Sequence, residues 1–254
     1  MNRIKKIFQT RNKKVIPFFT AGYPRKEDTV GMVLAAESSG AAMVELGMPF
    51  SDPLADGPVI QASSQRAIQN RVNVSWILET VLKIRKQSEI PIALMGYINP
   101  IINYGLNTFI LDCNSSGVDG LIIPDLPPEE AEDFVKKSKE NSICPVLLVA
   151  PNTPNKRIQE ISKLAGELIY CVAILGITGS KNADNDTLIS YLARVDKYSI
   201  CPFIVGFGIT DRDDVISVNE MADGAVVGSA IIKEIQKSND PIGVVKNYIE
   251  TINS

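Results

Sequence analysis

Histidine is absent from this 254-residue sequence, and with it the side chain most often used for proton transfer near neutral pH. Acid–base chemistry here must fall to carboxylates, Lys, Tyr, Cys or a cofactor. Cysteine is sparse. Cys113, Cys144, Cys171 and Cys201 lie far apart and form no C-x-x-C pair, so they read as buried thiols of a reducing compartment. Without histidine, such scattered thiols argue against a zinc site. No apolar run approaches the length of a membrane span. The basic start, Met1 to Phe8, has no apolar h-region or cleavage site, and Ile4, Ile7 and Phe8 suggest a short amphipathic helix. A soluble, cytoplasmic protein is expected, or a plastid one after loss of a transit peptide. The net charge of −3 and pI near 5.2 argue against nucleic acid or an anionic membrane as the main partner. No low-complexity stretch, long charge run or linker divides the chain, so residues 1–254 are expected to form one domain.

Apolar residues make up 45% of the chain, enough for a full core without disulfides. Short runs rich in Val, Ile, Leu and Phe recur and predict eight strands. These are Val15–Thr20, Met43–Glu45, Ile92–Met95, Gly120–Ile123, Val146–Val149, Leu168–Val172, Phe203–Val205 and Ala225–Val227. Their apolar character is continuous, as in parallel strands covered on both faces. Helical patterns lie between them. Pro127-Pro128-Glu129-Glu130 is expected to open one helix, Thr210 to cap another, and Asp186–Lys197 to form a third. Strands alternating with helices over this length predict a single-domain (β/α)₈ TIM barrel with a short extra N-terminal helix. A doubly wound open sheet is the runner-up, but no G-x-G-x-x-G opens a helix after the first strand.

Two connections are long: the one after the second strand, through Asp56, and the one at Gly176–Asp186. In a barrel, loops that follow the strands build the active face. Glu45 ends the second predicted strand, beside a Gly/Pro-rich loop carrying Asp52 and Asp56. A carboxylate there must be paired, solvated or functional. Strand-end acids often only pair with an Arg or cap a loop, and Asp52 or Asp56 can hold the loop through an Asx-turn. At a barrel mouth the functional reading gains weight. Gly206-Phe207-Gly208 and Gly228-Ser229 follow the last two strands, where phosphate sites recur in barrels. Gly176-Ile177-Thr178-Gly179 adds hinge glycines and donors, or is an ordinary flexible loop. Phe18, Ile60, Tyr97, Ile122, Tyr170 and Phe207 lie near strand ends. Each alone reads as core, but together they suit a slot for a flat aromatic ligand.

The segment Glu45–Gln61, ELGMPFSDPLADGPVIQ, is very similar to the signature of the tryptophan synthase alpha subunit family. The resemblance continues through Pro17–Pro24, Met95–Pro100, Pro124–Pro127, Gly176–Gly179, Gly206–Ile209 and Gly228–Ile231, in order over nearly the whole chain. It implies a TIM-barrel lyase that cleaves indole-3-glycerol phosphate to indole and D-glyceraldehyde 3-phosphate in L-tryptophan biosynthesis. Residues that match the family's catalytic pair are Glu45, the general acid–base, and Asp56, which holds the indole N–H. Phe18, Ile60, Tyr97, Ile122 and Tyr170 match its indole slot. Gly179, Phe207, Gly208, Gly228 and Ser229 match its phosphate site, and Thr178 matches a residue that positions the second-strand loop. The resemblance also implies no cofactor for this chain and a beta-subunit partner in an alpha2-beta2 complex. That partner would carry pyridoxal phosphate and receive the indole.

Other readings stay open at the level of sequence. One is a stand-alone indole-3-glycerol-phosphate lyase releasing free indole. Another is a different phosphate-binding barrel, such as a sugar-phosphate isomerase or epimerase. A third is a non-catalytic subunit that only activates a partner. Intact Glu45 and Asp56 argue against the last.

Overall fold

The computed structural model describes residues 2–10, 12–172, 181–206 and 208–254, with residues 181–185 described by their backbone alone. Eight parallel strands close into a barrel in sequence order. They are β1 (Val15–Thr20), β2 (Val44–Gly47), β3 (Ile92–Met95), β4 (Gly120–Ile122), β5 (Cys144–Val149), β6 (Ile169–Val172), β7 (Phe203–Gly206) and β8 (Gly224–Val227). The expected (β/α)₈ architecture is what forms. Strand bounds move by one or two residues at several ends. The largest consequence is at β2, which runs on through Leu46 and Gly47. Glu45 is therefore inside the strand rather than at its end.

Each strand divides its side chains between two cores, because successive residues face opposite sides of a sheet. Val15 and Phe19 of β1 join Val44 and Leu46 of β2 and Ile92 and Leu94 of β3 in the outer core, packed against the helices. Ile16 and Phe18, Ala93 and Met95, Ile122, Tyr170, Ile204 and Val226 fill the barrel interior. The helix Arg3–Ile7 closes the lower end. Its Ile4 is fully buried and belongs to the interior cluster. A Cβ on Gly120 would lie 2.6 Å from the Ile4 side chain, so that floor needs a glycine.

Three local expectations are corrected. The helix after β4 spans Glu132–Glu140 and does not begin at Pro127. The residues before it form turns, with Glu130 N–H donating to Pro127 O and Ala131 N–H to Pro128 O. The helix Arg212–Met221 is capped by Asp211, not Thr210. The Asp211 carboxylate accepts the Asp214 N–H, and Asp214 reciprocates in a capping box. Thr210 instead donates its hydroxyl to Asp214 at 2.8 Å. The third predicted helix starts earlier, at Lys181, and runs to Tyr198.

Candidate active site

Glu45 sits in register with Phe18 of β1 and Ala93 of β3, and all three point into the barrel. Its side chain is fully buried, and neither carboxylate oxygen has a hydrogen-bond partner among the described residues. Burial alone pushes its pKa up to about 8, because the apolar surroundings penalise the charged form. At neutral pH this side chain is therefore mostly a neutral acid. It faces a cavity of about 250 Å³ at the upper mouth of the barrel.

Aromatic rings share that space with glycines. A Cβ on Gly47 would lie 2.5 Å from Phe18, and one on Gly206 would lie 1.7 Å from the Tyr170 hydroxyl oxygen. Both glycines occupy inward positions on their strands, so the missing side chains are what admit the two rings. Phe18, Tyr170 and Ile60 line the cavity, joined by Met95 and Val226. These give an apolar slot beside the buried acid.

Asp56 lies across the cavity on the connection between β2 and the helix Pro58–Gln69. Its surroundings fix it tightly. The Asp56 N–H donates to Pro53 O at 3.0 Å, and Gln61 Nε2 donates to Asp56 O at 2.8 Å. The neighbouring Ala55 N–H donates to the Tyr97 hydroxyl at 3.0 Å. Partial burial raises the Asp56 pKa above the usual aspartate value, while the Tyr97 hydroxyl, bonded to its carboxylate, pulls it back down. Asp52 is exposed, and its carboxylate accepts the Ser51 hydroxyl at 2.6 Å. It does not line the cavity.

The far rim is formed by Gly208, Ile209, Gly228 and Ser229. Gly228 precedes the helix Ser229–Gln236, whose first turn has no side-chain cap. Its leading N–H groups are thus left for another acceptor, the arrangement that suits an anion.

The expected site residues separate into three groups. Glu45, Asp56, Phe18, Ile60, Tyr170, Gly208, Gly228 and Ser229 come together around one cavity. Tyr97 and Ile122 do not line it. Tyr97 is buried beneath the Asp56 loop, against Phe50 with ring centroids 5.3 Å apart. Ile122 packs in the barrel interior, in register with Met95. Thr178, Gly179 and Phe207 lie outside the described residues. Met95, Val226, Pro58, Val59, Ile209 and Lys233 also line the cavity and were not anticipated. Strand parity accounts for two of them once the inward face of each strand is known. Met95 lies two residues beyond inward-facing Ala93, and Val226 two beyond Gly224, whose missing side chain opens toward Ile16.

The comparisons with known proteins agree with the barrel fold. The family model for the tryptophan synthase alpha chain matches residues 4–253. The tryptophan synthase alpha chain of Petrotoga mobilis is 44% identical over 98% of this chain and 96% of its own length. That of Chlorobium limicola is 42% identical, covering 94% of this chain and 93% of its own. Among solved structures, tryptophan synthase subunit alpha from Legionella pneumophila superposes with a TM-score of 0.92 at 35% identity, covering 99% of this chain and 97% of that one. A chain from a study of mutual activation in the Pyrococcus furiosus tryptophan synthase a2b2 complex gives a TM-score of 0.90 at 36% identity, covering 95% and 98%.

Proposed function

The chain belongs to the tryptophan synthase alpha chain family, and we propose that Glu45 and Asp56 carry out the cleavage of indole-3-glycerol phosphate that defines it. The protein is a lyase of L-tryptophan biosynthesis. It yields indole and D-glyceraldehyde 3-phosphate, and works with a beta subunit in an alpha2-beta2 complex that takes the indole onward. The stand-alone lyase is not the favoured reading.

The observation that carries the site assignment is the neutral carboxyl of Glu45, without a hydrogen-bond partner among the described residues, facing a cavity whose other wall holds Asp56. Substrate lies with its ring among Phe18, Ile60 and Tyr170 and its phosphate toward Gly208, Gly228 and Ser229. Glu45 gives its proton to indole C3, which turns the ring into an indolenine leaving group. The carboxylate so formed takes the proton of the C3′ hydroxyl as the aldehyde C=O forms. The C3–C3′ electron pair returns to the ring, and Glu45 ends protonated as it began. Asp56, ionised, accepts the indole N–H and stabilises the positive charge that builds on the ring. One neutral and one charged carboxyl divide the work.

No step needs a cofactor, and we read pyridoxal phosphate as the partner's alone. Gly179 and Phe207 complete the phosphate site, and Thr178 positions the Asp56 loop, on the strength of the family match. Tyr97 and Ile122 support the indole slot from outside the cavity wall. We take residues 1–254 as one domain. Among the described residues no helix is long and apolar enough to cross a membrane, and we place the protein in the cytoplasm.

The test is indole production from indole-3-glycerol phosphate by the purified chain, alone and with a cognate beta subunit. Cleavage that rises when the partner is added is expected. The pH profile of kcat/KM should be a bell, since it reports the free enzyme's essential acid and base. Its alkaline limb should fall near the Glu45 pKa of about 8, and its acid limb above the usual aspartate range. A profile flat through pH 8 would remove Glu45 as the acid.

A further inference from the structure

The cavity is lined by two acids, Glu45 and Asp56, and by a single cation among the described residues, Lys233. Lys233 lies one turn after Ser229 on the helix Ser229–Gln236. Residues four apart share a helix face, so the lysine stands on the same side as the hydroxyl that meets the rim. The nearest acid on that helix is already engaged, with Glu234 accepting from Lys237 at 2.7 Å. No hydrogen bond or ion pair joins the Lys233 ammonium to another described residue. It is exposed at the cavity edge, with a flexible stem that lets the charge reach inward.

The charge balance of the loaded site asks for such a group. A phosphate monoester carries close to two negative charges at neutral pH, and Asp56 brings another carboxylate to the same cavity. The uncapped helix start supplies only partial positive charge, equivalent to roughly half an elementary charge. Without a cation, binding would gather like charges in a half-enclosed space.

We propose that Lys233 is the phosphate counter-cation of this site, a binding residue that makes the barrel select the dianionic substrate and retain the phosphorylated product. The proposal rests on the reading of the site given above. Lys233 pairs with the phosphate oxygens that face solvent, while Gly208, Gly228 and Ser229 hold those that face the barrel. Indole, which is neutral, gains nothing from it and leaves freely. Glyceraldehyde 3-phosphate is held and leaves later. The competing role is structural: a lysine within the last turns of a helix also favours the helix dipole.

The experiment uses the complex with the beta subunit and compares wild type, K233M and K233R. KM and kcat for indole-3-glycerol phosphate are measured, together with inhibition by inorganic phosphate. A hydrogen bond to a charged group sets the scale. K233M should raise KM and the phosphate inhibition constant about tenfold, with a much smaller change in kcat. K233R should restore both. Between about 50 and 300 mM salt, where screening tightens, KM should climb for wild type and stay flatter for K233M. A KM within about twofold of wild type with an unaltered salt response would overturn the proposal, as would a loss confined to kcat. Lys233 would then be an ordinary helix-surface residue. If K233M folds poorly, K233Q in the same assays decides the matter. Wild type that fails to cleave the substrate would count against the site reading itself. Cleavage by wild type with no response at position 233 would count against Lys233 alone.

Discussion

The two ends of the barrel each bury an acid, and they treat it in opposite ways. At the lower end Asp119, just before β4, is almost fully buried and fully paired. It accepts from Arg3 at 3.1 Å, from Arg85 at 2.7 Å and from the Ile92 N–H at 2.9 Å. Asn2 donates to its backbone carbonyl at 2.7 Å. One carboxylate thereby ties the N-terminal helix, the helix Val74–Arg85 and the start of β3 into a floor. At the upper end Glu45 is just as deeply buried and has no hydrogen-bond partner among the described residues. Burying a lone charge is costly, and such a group protonates instead. The lower acid is spent on structure. On the mechanism proposed above, the upper one is kept as a proton carrier.

If this division holds, changes at the two ends should move different quantities. Glu45→Gln keeps the shape and removes the transferable proton. General acid–base catalysis is typically worth ~10²–10⁴-fold, so kcat should fall by at least that range while the protein stays folded. Near wild-type turnover of indole-3-glycerol phosphate would reject the assignment.

Asp119→Ala should act the other way. It leaves Arg85 buried without its partner, and breaking a buried pair typically costs ~3–5 kcal/mol. The readout is chemical denaturation. The variant should lose stability by about that amount, while kcat measured well below its melting point stays near wild type. A stable variant with damaged catalysis would erase the contrast between the two ends.

A third measurement tests the cost of keeping Glu45 unpaired. Its folded-state pKa is raised from 4.5 to about 8. Within that window the native state holds a proton that the unfolded chain has released. Stability contributed by the protonated group is therefore greatest near pH 4.5 and is lost as pH rises toward 8. The slope is at most about 1.4 kcal/mol per pH unit. Glu45→Gln has no such titration, so the stability of the variant relative to wild type should grow across the window. Parallel curves would mean that Glu45 finds a partner in solution.

The lower layers of this structure are easy to read in the sequence, and the finer ones are hard. Continuous apolar runs announce strands covered on both faces, and an acid directly after one of them announces Glu45. The same continuity conceals which face is inward. Ile92, Ala93, Leu94 and Met95 look alike as a run, and only closure of the sheet sends Ala93 and Met95 into the interior. Met95 and Val226 do not stand out in the sequence for that reason. Lys233 does not stand out either, because a lysine in a helix looks like any solvated surface residue until the strand before it fixes where the helix begins. The helix start at Pro127 was misplaced because two prolines and two glutamates have the composition of a first turn, yet their backbone closes separate turns. Tyr97 was expected in the cavity wall. Its side chain instead reaches under the loop, which depends on how residues far apart in sequence fold over one another.

That placement of Tyr97 gives the subtlest test of the upper end. Its hydroxyl accepts the Ala55 N–H and bonds the Asp56 carboxylate, while its ring packs on Phe50. Tyr97→Phe keeps the ring and removes only the hydroxyl, so packing is separated from positioning. A single such hydrogen bond is worth about 0.5–1.5 kcal/mol net, so kcat should fall by roughly tenfold or less, far below the effect at Glu45. The pH profile carries the sharper signal. The Tyr97 hydroxyl favours ionised Asp56 and holds its pKa down. Its loss should move the acid limb of kcat/KM to higher pH and leave the alkaline limb, set by Glu45, in place. If Tyr97 serves only to pack against Phe50, Tyr97→Phe should leave both limbs unmoved. A shifted acid limb would instead mark Asp56 as an acid whose ionisation is maintained by a neighbour, the counterpart of a glutamate whose neutrality is maintained by burial.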